Sequence, residues 1–106
     1  MAVLGTQKQE EKILEMGEIA HGMSPDISVM NFKGAFRLGV KEALETSGYT
    51  DWKDLAQRTK AEKKRFFEQI LKGAAPHLSG TGLSQDQVER IFSRLRQKNA
   101  EYINRP

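Results

Sequence analysis

Cysteine is absent from all 106 residues, which excludes disulfides, thiolate catalysis and every cysteine-ligated metal site. Long apolar runs are also missing: no stretch approaches the roughly 18 residues that a membrane-spanning helix needs, so no membrane partner is expected. The N-terminal MAVLGTQKQEEK lacks the charged-then-apolar layout of a secretory signal. With no cysteine either, the expected location is intracellular, either cytoplasmic or in the nucleoid or nucleus. Histidine is scarce. His21 and His77 have neither the i, i+4 spacing nor the neighbouring carboxylates of a metal site. Glu15 or Glu18 could join His21 as ligands, but a histidine ending a helix is already favoured by the helix dipole. There is no glycine-flanked serine of the nucleophile-elbow type and no calcium loop. The Gly80-Thr81-Gly82 step lacks the glycine spacing and preceding strand of a phosphate loop. The expectation is therefore a protein that is not an enzyme and takes no metal or cofactor.

What the chain does contain is helix-forming periodicity, and no segment alternates as a strand would. A composition of 38% hydrophobic and 29% charged residues suits one ordinary domain of this length. The last helix is the best punctuated. Ser84 and Gln87 form a capping box, and Leu83 with Val88 is placed for a hydrophobic staple. Val88, Ile91, Phe92, Leu95, Tyr102 and Ile103 then recur at three- and four-residue steps, so the helix runs over 85–103. A second helix over 32–47 is capped by Asn31 and stopped at Ser47-Gly48, with Phe32, Ala35, Phe36, Gly39, Val40, Ala43 and Leu44 on one face. Gly39 on that apolar side implies that another element approaches closely, whereas Gly34 lies off the stripe with no packing role. Thr50 opens a short helix over 51–58, with Trp52, Leu55 and Ala56 facing inward. Thr59 and Glu62 form another capping box for a helix over 60–72, ending near Lys72-Gly73. The following 74–84, with Pro76, Gly80 and Gly82, reads as a loop. A first helix over 7–21 has a thinner apolar set of Ile13, Leu14, Met16, Ile19 and Ala20. The fold class is all-α: a single compact irregular bundle of four to five helices with no β-sheet. Its shared core is expected to hold Phe32, Phe36, Val40, Leu44, Trp52, Leu55, Phe66, Phe67, Ile70, Val88, Ile91, Phe92 and Leu95.

Charge is unevenly divided. Residues 1–31 carry two lysines against five acids, a net −3, while residues 32–106 carry 15 cations against 9 acids, a net +6. This suggests an acidic N-terminal helix or arm over 1–24 on a basic helical domain over 25–106. Three basic groups stand out. Lys33, Arg37 and Lys41 lie at i, i+4, i+8 on the second helix, and Arg90, Arg94 and Lys98 repeat that spacing on the last. Lys60, Lys63, Lys64 and Arg65 crowd the start of the fourth helix, where cations oppose the dipole but can edge an anion site. Each group also has a plain reading as a solvated face. Glu45 offsets Lys41 in part, and Glu68 is spaced to pair with Lys64 and Lys72.

Two functions fit this pattern. The preferred one is binding of DNA or RNA through the basic helix faces, with Arg90, Arg94 and Lys98 as the leading contact row. Segment 51–71 pairs two helices, but Lys60 stands where a helix-turn-helix carries glycine and no recognition pattern follows, so the case rests on charge. The alternative is a protein–protein interaction or adaptor module, with an acidic protein or a second copy as partner. Leu38, Met23, Val29 and Met30, with Tyr102 and Ile103 in the last helix, would supply its apolar surface.

Overall fold

The chain folds as five helices: α1 (Leu4–Met23), α2 (Val29–Ser47), α3 (Trp52–Ala56), α4 (Lys60–Ser79) and α5 (Gln85–Ile103). The computed structural model describes residues 4–49 and 52–103, and of these the side chains of 7–49 and 54–101. Trp52, Tyr102 and Ile103 as core side chains, and Thr50 as a cap, lie outside those described residues. No strand occurs among the described residues, as the all-α expectation requires.

Four of the helices form a ring. α2 packs against α1 and α4, and α5 packs against the same two helices from the other side. α2 and α5 therefore occupy opposite corners. Glu10 lies opposite Arg37, and Gly17 faces Val29 and Lys33, so α1 and α2 are antiparallel. Gly39 faces Ile70 and Ala74 while Tyr49 reaches Glu62, so α2 and α4 are antiparallel too. The turn at 80–84 reverses the chain into α5, and Glu68 meets Arg96 across the pair. The α1 N-terminus, the α2 C-terminus, α3, the α4 N-terminus and the α5 C-terminus consequently share one end of the bundle.

Burial follows the apolar stripes. Phe32, Phe36 and Val40 of α2, Ile70 and Leu78 of α4, and Ile13 and Ala20 of α1 are all fully buried. Each such large side chain contributes about 1.5–3 kcal/mol. Phe66, Phe67, Leu55, Val88, Ile91, Phe92 and Leu95 complete the expected core as buried residues. Residues 4–23 place Ile13, Met16 and Ala20 in this same core. Leu44 differs from expectation in being only half-buried, at the edge of a shallow groove that it lines with Lys41 and Tyr49.

Gly39 has the close neighbour its position implied. A Cβ there would run into the Ile70 carbonyl oxygen and lie 3.1 Å from the Ala74 nitrogen. Gly73 on α4 faces the Gly39 Cα in turn, which explains why Gly73 does not stop its helix. α4 continues to Ser79 through Pro76, contrary to the expected end near Lys72-Gly73 and loop over 74–84. Ala74 and Leu78 extend its buried stripe across that stretch. α2 also begins earlier than expected. Its cap is Ser28, whose hydroxyl accepts the Asn31 backbone N–H at 3.1 Å. Asn31 is thus the donor in the cap and not the cap itself. α1 runs from residue 4 to 23, longer than the expected 7–21, and α3 ends at Ala56, short of the expected 58, with Ala56 exposed instead of facing inward.

Candidate functional site

The basic rows of α2 and α5 share a spacing but not an environment. On α2, Arg37 is held by α1: its Nη2 donates to Glu10 Oε2 at 2.8 Å and its Nε to Oε1 at 3.4 Å. That hydrogen bond, with the charges of Arg37 and Lys33, lowers the Glu10 carboxyl below its ordinary 4.5 despite some opposing desolvation. Lys33 is half-buried where its Cγ passes close to Gly17, and Lys41 is exposed. Neither lysine has an ion pair among the described residues. Beside them opens a shallow groove of about 510 Å³, lined by Gln9, Arg37, Lys41, Leu44, Glu45 and Tyr49.

On α5 the row is answered within its own helix. Arg90 pairs with Asp86 at 2.9 Å, Lys98 lies 3.9 Å from Glu101, and Arg94 donates to Gln97 Oε1 at 3.2 Å. The cation that ties α5 to the body is Arg96, which sequence reasoning passed over. Its Nε donates to both Glu68 oxygens, at 3.1 and 2.9 Å. Glu68 therefore pairs across helices instead of with Lys64 or Lys72. The signal for it was available, since Arg96 follows the buried Leu95 at the edge of the apolar stripe.

The α4 cluster is the least neutralised. α4 carries five lysines and arginines against two glutamates, and both glutamates are engaged elsewhere. Glu62 closes the capping box by accepting from the Thr59 backbone N–H and hydroxyl, and it accepts the Tyr49 hydroxyl at 3.2 Å. The Thr59 hydrogen bonds lower its carboxyl. Glu68 is bound to Arg96. Lys60, Lys63, Lys64 and Arg65 have no ion pair among the described residues. Arg58, paired with Asp54 at 3.0 Å, lies 4.7 Å over the Tyr49 ring just before the cap.

The antiparallel ring decides which groups meet. Lys41, Arg58, Lys60, Lys63, Lys64 and Arg65 gather at one end of the bundle, whereas Arg90 lies toward the other on the opposite corner. The α2 row and the α5 row face away from each other and do not form one surface. His21 fulfils the helix-terminal reading: its Nδ1 lies 2.7 Å from the Ile27 carbonyl oxygen and bridges the turn into α2. Among the described residues no group of three His, Asp or Glu is arranged to hold a metal ion, and no helix is long and apolar enough to cross a membrane. Comparison with protein families, curated proteins and solved structures yields no match, leaving the chain's own residues to carry the functional argument.

Proposed function

We propose that this chain is a non-enzymatic binding protein whose basic end takes the phosphate backbone of a nucleic acid. The observation that carries this is the α4 N-terminal cluster, in which Lys60, Lys63, Lys64 and Arg65 lie together without an ion pair among the described residues while both acids of α4 are committed to other partners. Cations left in that state release phosphate counterions on binding, which makes affinity steeply salt-dependent. Four phosphate contacts give a log–log slope near −3.6, or about a 150-fold loss between 50 and 200 mM salt. All five phenylalanines are buried and offer no ring to a base; the proposed contact is with the phosphate backbone.

Fluorescence anisotropy on a random-sequence 20-base-pair duplex at two salt concentrations tests the reading. Lys63→Glu with Lys64→Glu should weaken binding by at least about 100-fold, since two neutralising contacts become two repulsions. Arg90→Glu with Arg94→Glu should change it by about threefold or less. Undiminished binding by the α4 variant, or a salt slope near zero, would defeat the proposal. A protein-interaction role is the second reading. What favours it is that the exposed large apolar side chains among the described residues, Leu14, Met23, Met30 and Leu38, all belong to α1 and α2.

A further inference from the structure

Two of those apolar side chains, Leu14 and Met30, lie on an α1–α2 face that shares only Lys41 with the basic end. Along α1 the exposed residues Gln7, Glu11, Leu14 and Glu18 follow each other at steps of four, three and four. Along α2, Met30, Gly34, Arg37 and Lys41 repeat those steps on the solvent side beside α1. A 4-3-4 spacing is what a helix presents when it packs nearly antiparallel against another helix. Met30 is 76% exposed and Leu14 40% exposed. Between Met30 and Arg37, Gly34 leaves open space: a Cβ there would meet nothing within 4 Å.

The charges on this face are of both signs and leave several partners unmet. Glu11 and Glu18 on α1, and Lys33 and Lys41 on α2, have no ion pair among the described residues. Arg37 uses only part of its five-donor fork on Glu10. A face with an acidic stripe on one helix and a basic stripe on its neighbour is complementary to itself. A twofold axis parallel to the helices lays α1 of one copy on α2 of the other.

Register supports the match. The Glu10–Arg37 contact and the approach of Gly17 to Val29 and Lys33 fix which residues of α1 and α2 share a level. A twofold parallel to the helices preserves those levels. Gln7 then opposes Lys41, Glu11 opposes Arg37, Leu14 opposes Gly34, and Glu18 opposes Met30 with Lys33 one turn away. The one large apolar side chain of the α1 stripe thus falls on the one residue of the α2 stripe that has no side chain.

We infer that the α1–α2 face is a self-association surface, on which Leu14 of a second copy seats over Gly34 between the charged pairs. Two helices about 30 Å long side by side offer roughly 600 Å² per copy. That is at the low edge of stable interfaces, so the dimer is a weak one that forms as concentration rises.

Sedimentation equilibrium from about 10 µM to 1 mM, on protein free of nucleic acid, reads this directly. The parent chain should rise from the 12.0 kDa of one copy toward twice that mass. Gly34→Arg fills the open space without disturbing the bundle and should stay at the mass of one copy throughout. Glu11→Lys should weaken association at least tenfold, with its helical circular dichroism unchanged. A parent chain that stays monomeric at 1 mM overturns the inference, as does a Gly34→Arg chain that associates like the parent. Full association by Glu11→Lys overturns the proposed register.

Discussion

α2 and α5 are the two antiparallel neighbours of α4, and each carries three cations at i, i+4, i+8. Their attachments differ in kind. α2 meets α4 backbone to backbone at Gly39 and Gly73, and its Arg37 is tied to α1 from 27 residues away. α5 meets α4 through side chains, with Arg96 on Glu68, and its basic row is answered by Asp86, Gln97 and Glu101 of the same helix. A spacing of basic residues does not define an interface. What decides is where the nearest acids stand: on another helix, where they fix tertiary structure, or one turn away, where they cancel the field locally.

The largest test of that difference is Gly39→Val. The added side chain collides with the Ile70 carbonyl, and a helix backbone cannot yield as a flexible side chain can. The expected loss is about 3 kcal/mol of stability, at the upper end of overpacking effects, read as a fall in urea midpoint. Gly34→Ala on the same helix should act in the opposite sense. With nothing within 4 Å of its Cβ, it removes only the glycine penalty and gains about 1 kcal/mol. Equal responses at the two sites would mean that the α2–α4 crossing is not the rigid joint of the bundle.

Much of this was legible in the sequence, and the reasons are local. α5 matches its expected span of 85–103, because its capping box and its apolar repeat are written in adjacent residues: the Ser84 N–H donates to Gln87 Oε1 and the Gln87 N–H to Ser84 Oγ. The end of α4 is not legible in the sequence because glycine and proline carry two meanings. At Gly73 the glycine serves an approach to Gly39, a long-range fact that no local pattern announces. The basic clusters were visible as residues but not as surfaces. Spacing alone could not reveal that Glu10 would clamp Arg37 or that Glu68 would leave Lys64 for Arg96. Lys12 is similar: its ammonium is half-buried 6.0 Å from the Phe67 ring, and that burial lowers its pKa.

A smaller effect separates the two rows by pH. Glu10→Gln removes the α1–α2 clamp, whose partners are close to half exposed, so the expected loss at pH 7 is about 0.5 kcal/mol. Because the folded Glu10 carboxyl lies below its ordinary 4.5, its contribution is complete above that value and disappears as pH falls through the folded one. The parent and Glu10→Gln should therefore converge in stability as the pH falls well below 4.5 and stay apart at neutral pH. Denaturation curves across that range check this. A difference that persists to the acid limit of the folded range would assign the effect to packing.

The smallest expected effect tests whether α5 is as loosely tied as its pairs imply. Glu101 lies 3.9 Å from Lys98 at an i, i+3 spacing, and both side chains are well exposed. Such a pair contributes a few tenths of a kcal/mol at most. Glu101 is also in the last turn of α5, where a negative charge is disfavoured by the helix dipole by a similar amount. Glu101→Gln removes both effects, so its net change should fall within about 0.5 kcal/mol of zero. Raising salt from 50 to 500 mM should leave that small difference nearly unchanged, because the two opposing terms are screened together. A loss above about 1 kcal/mol would exceed what an exposed pair supplies. Lys98 would then be a structural tie of α5, as Arg37 is of α2, and the contrast between the two rows would fail.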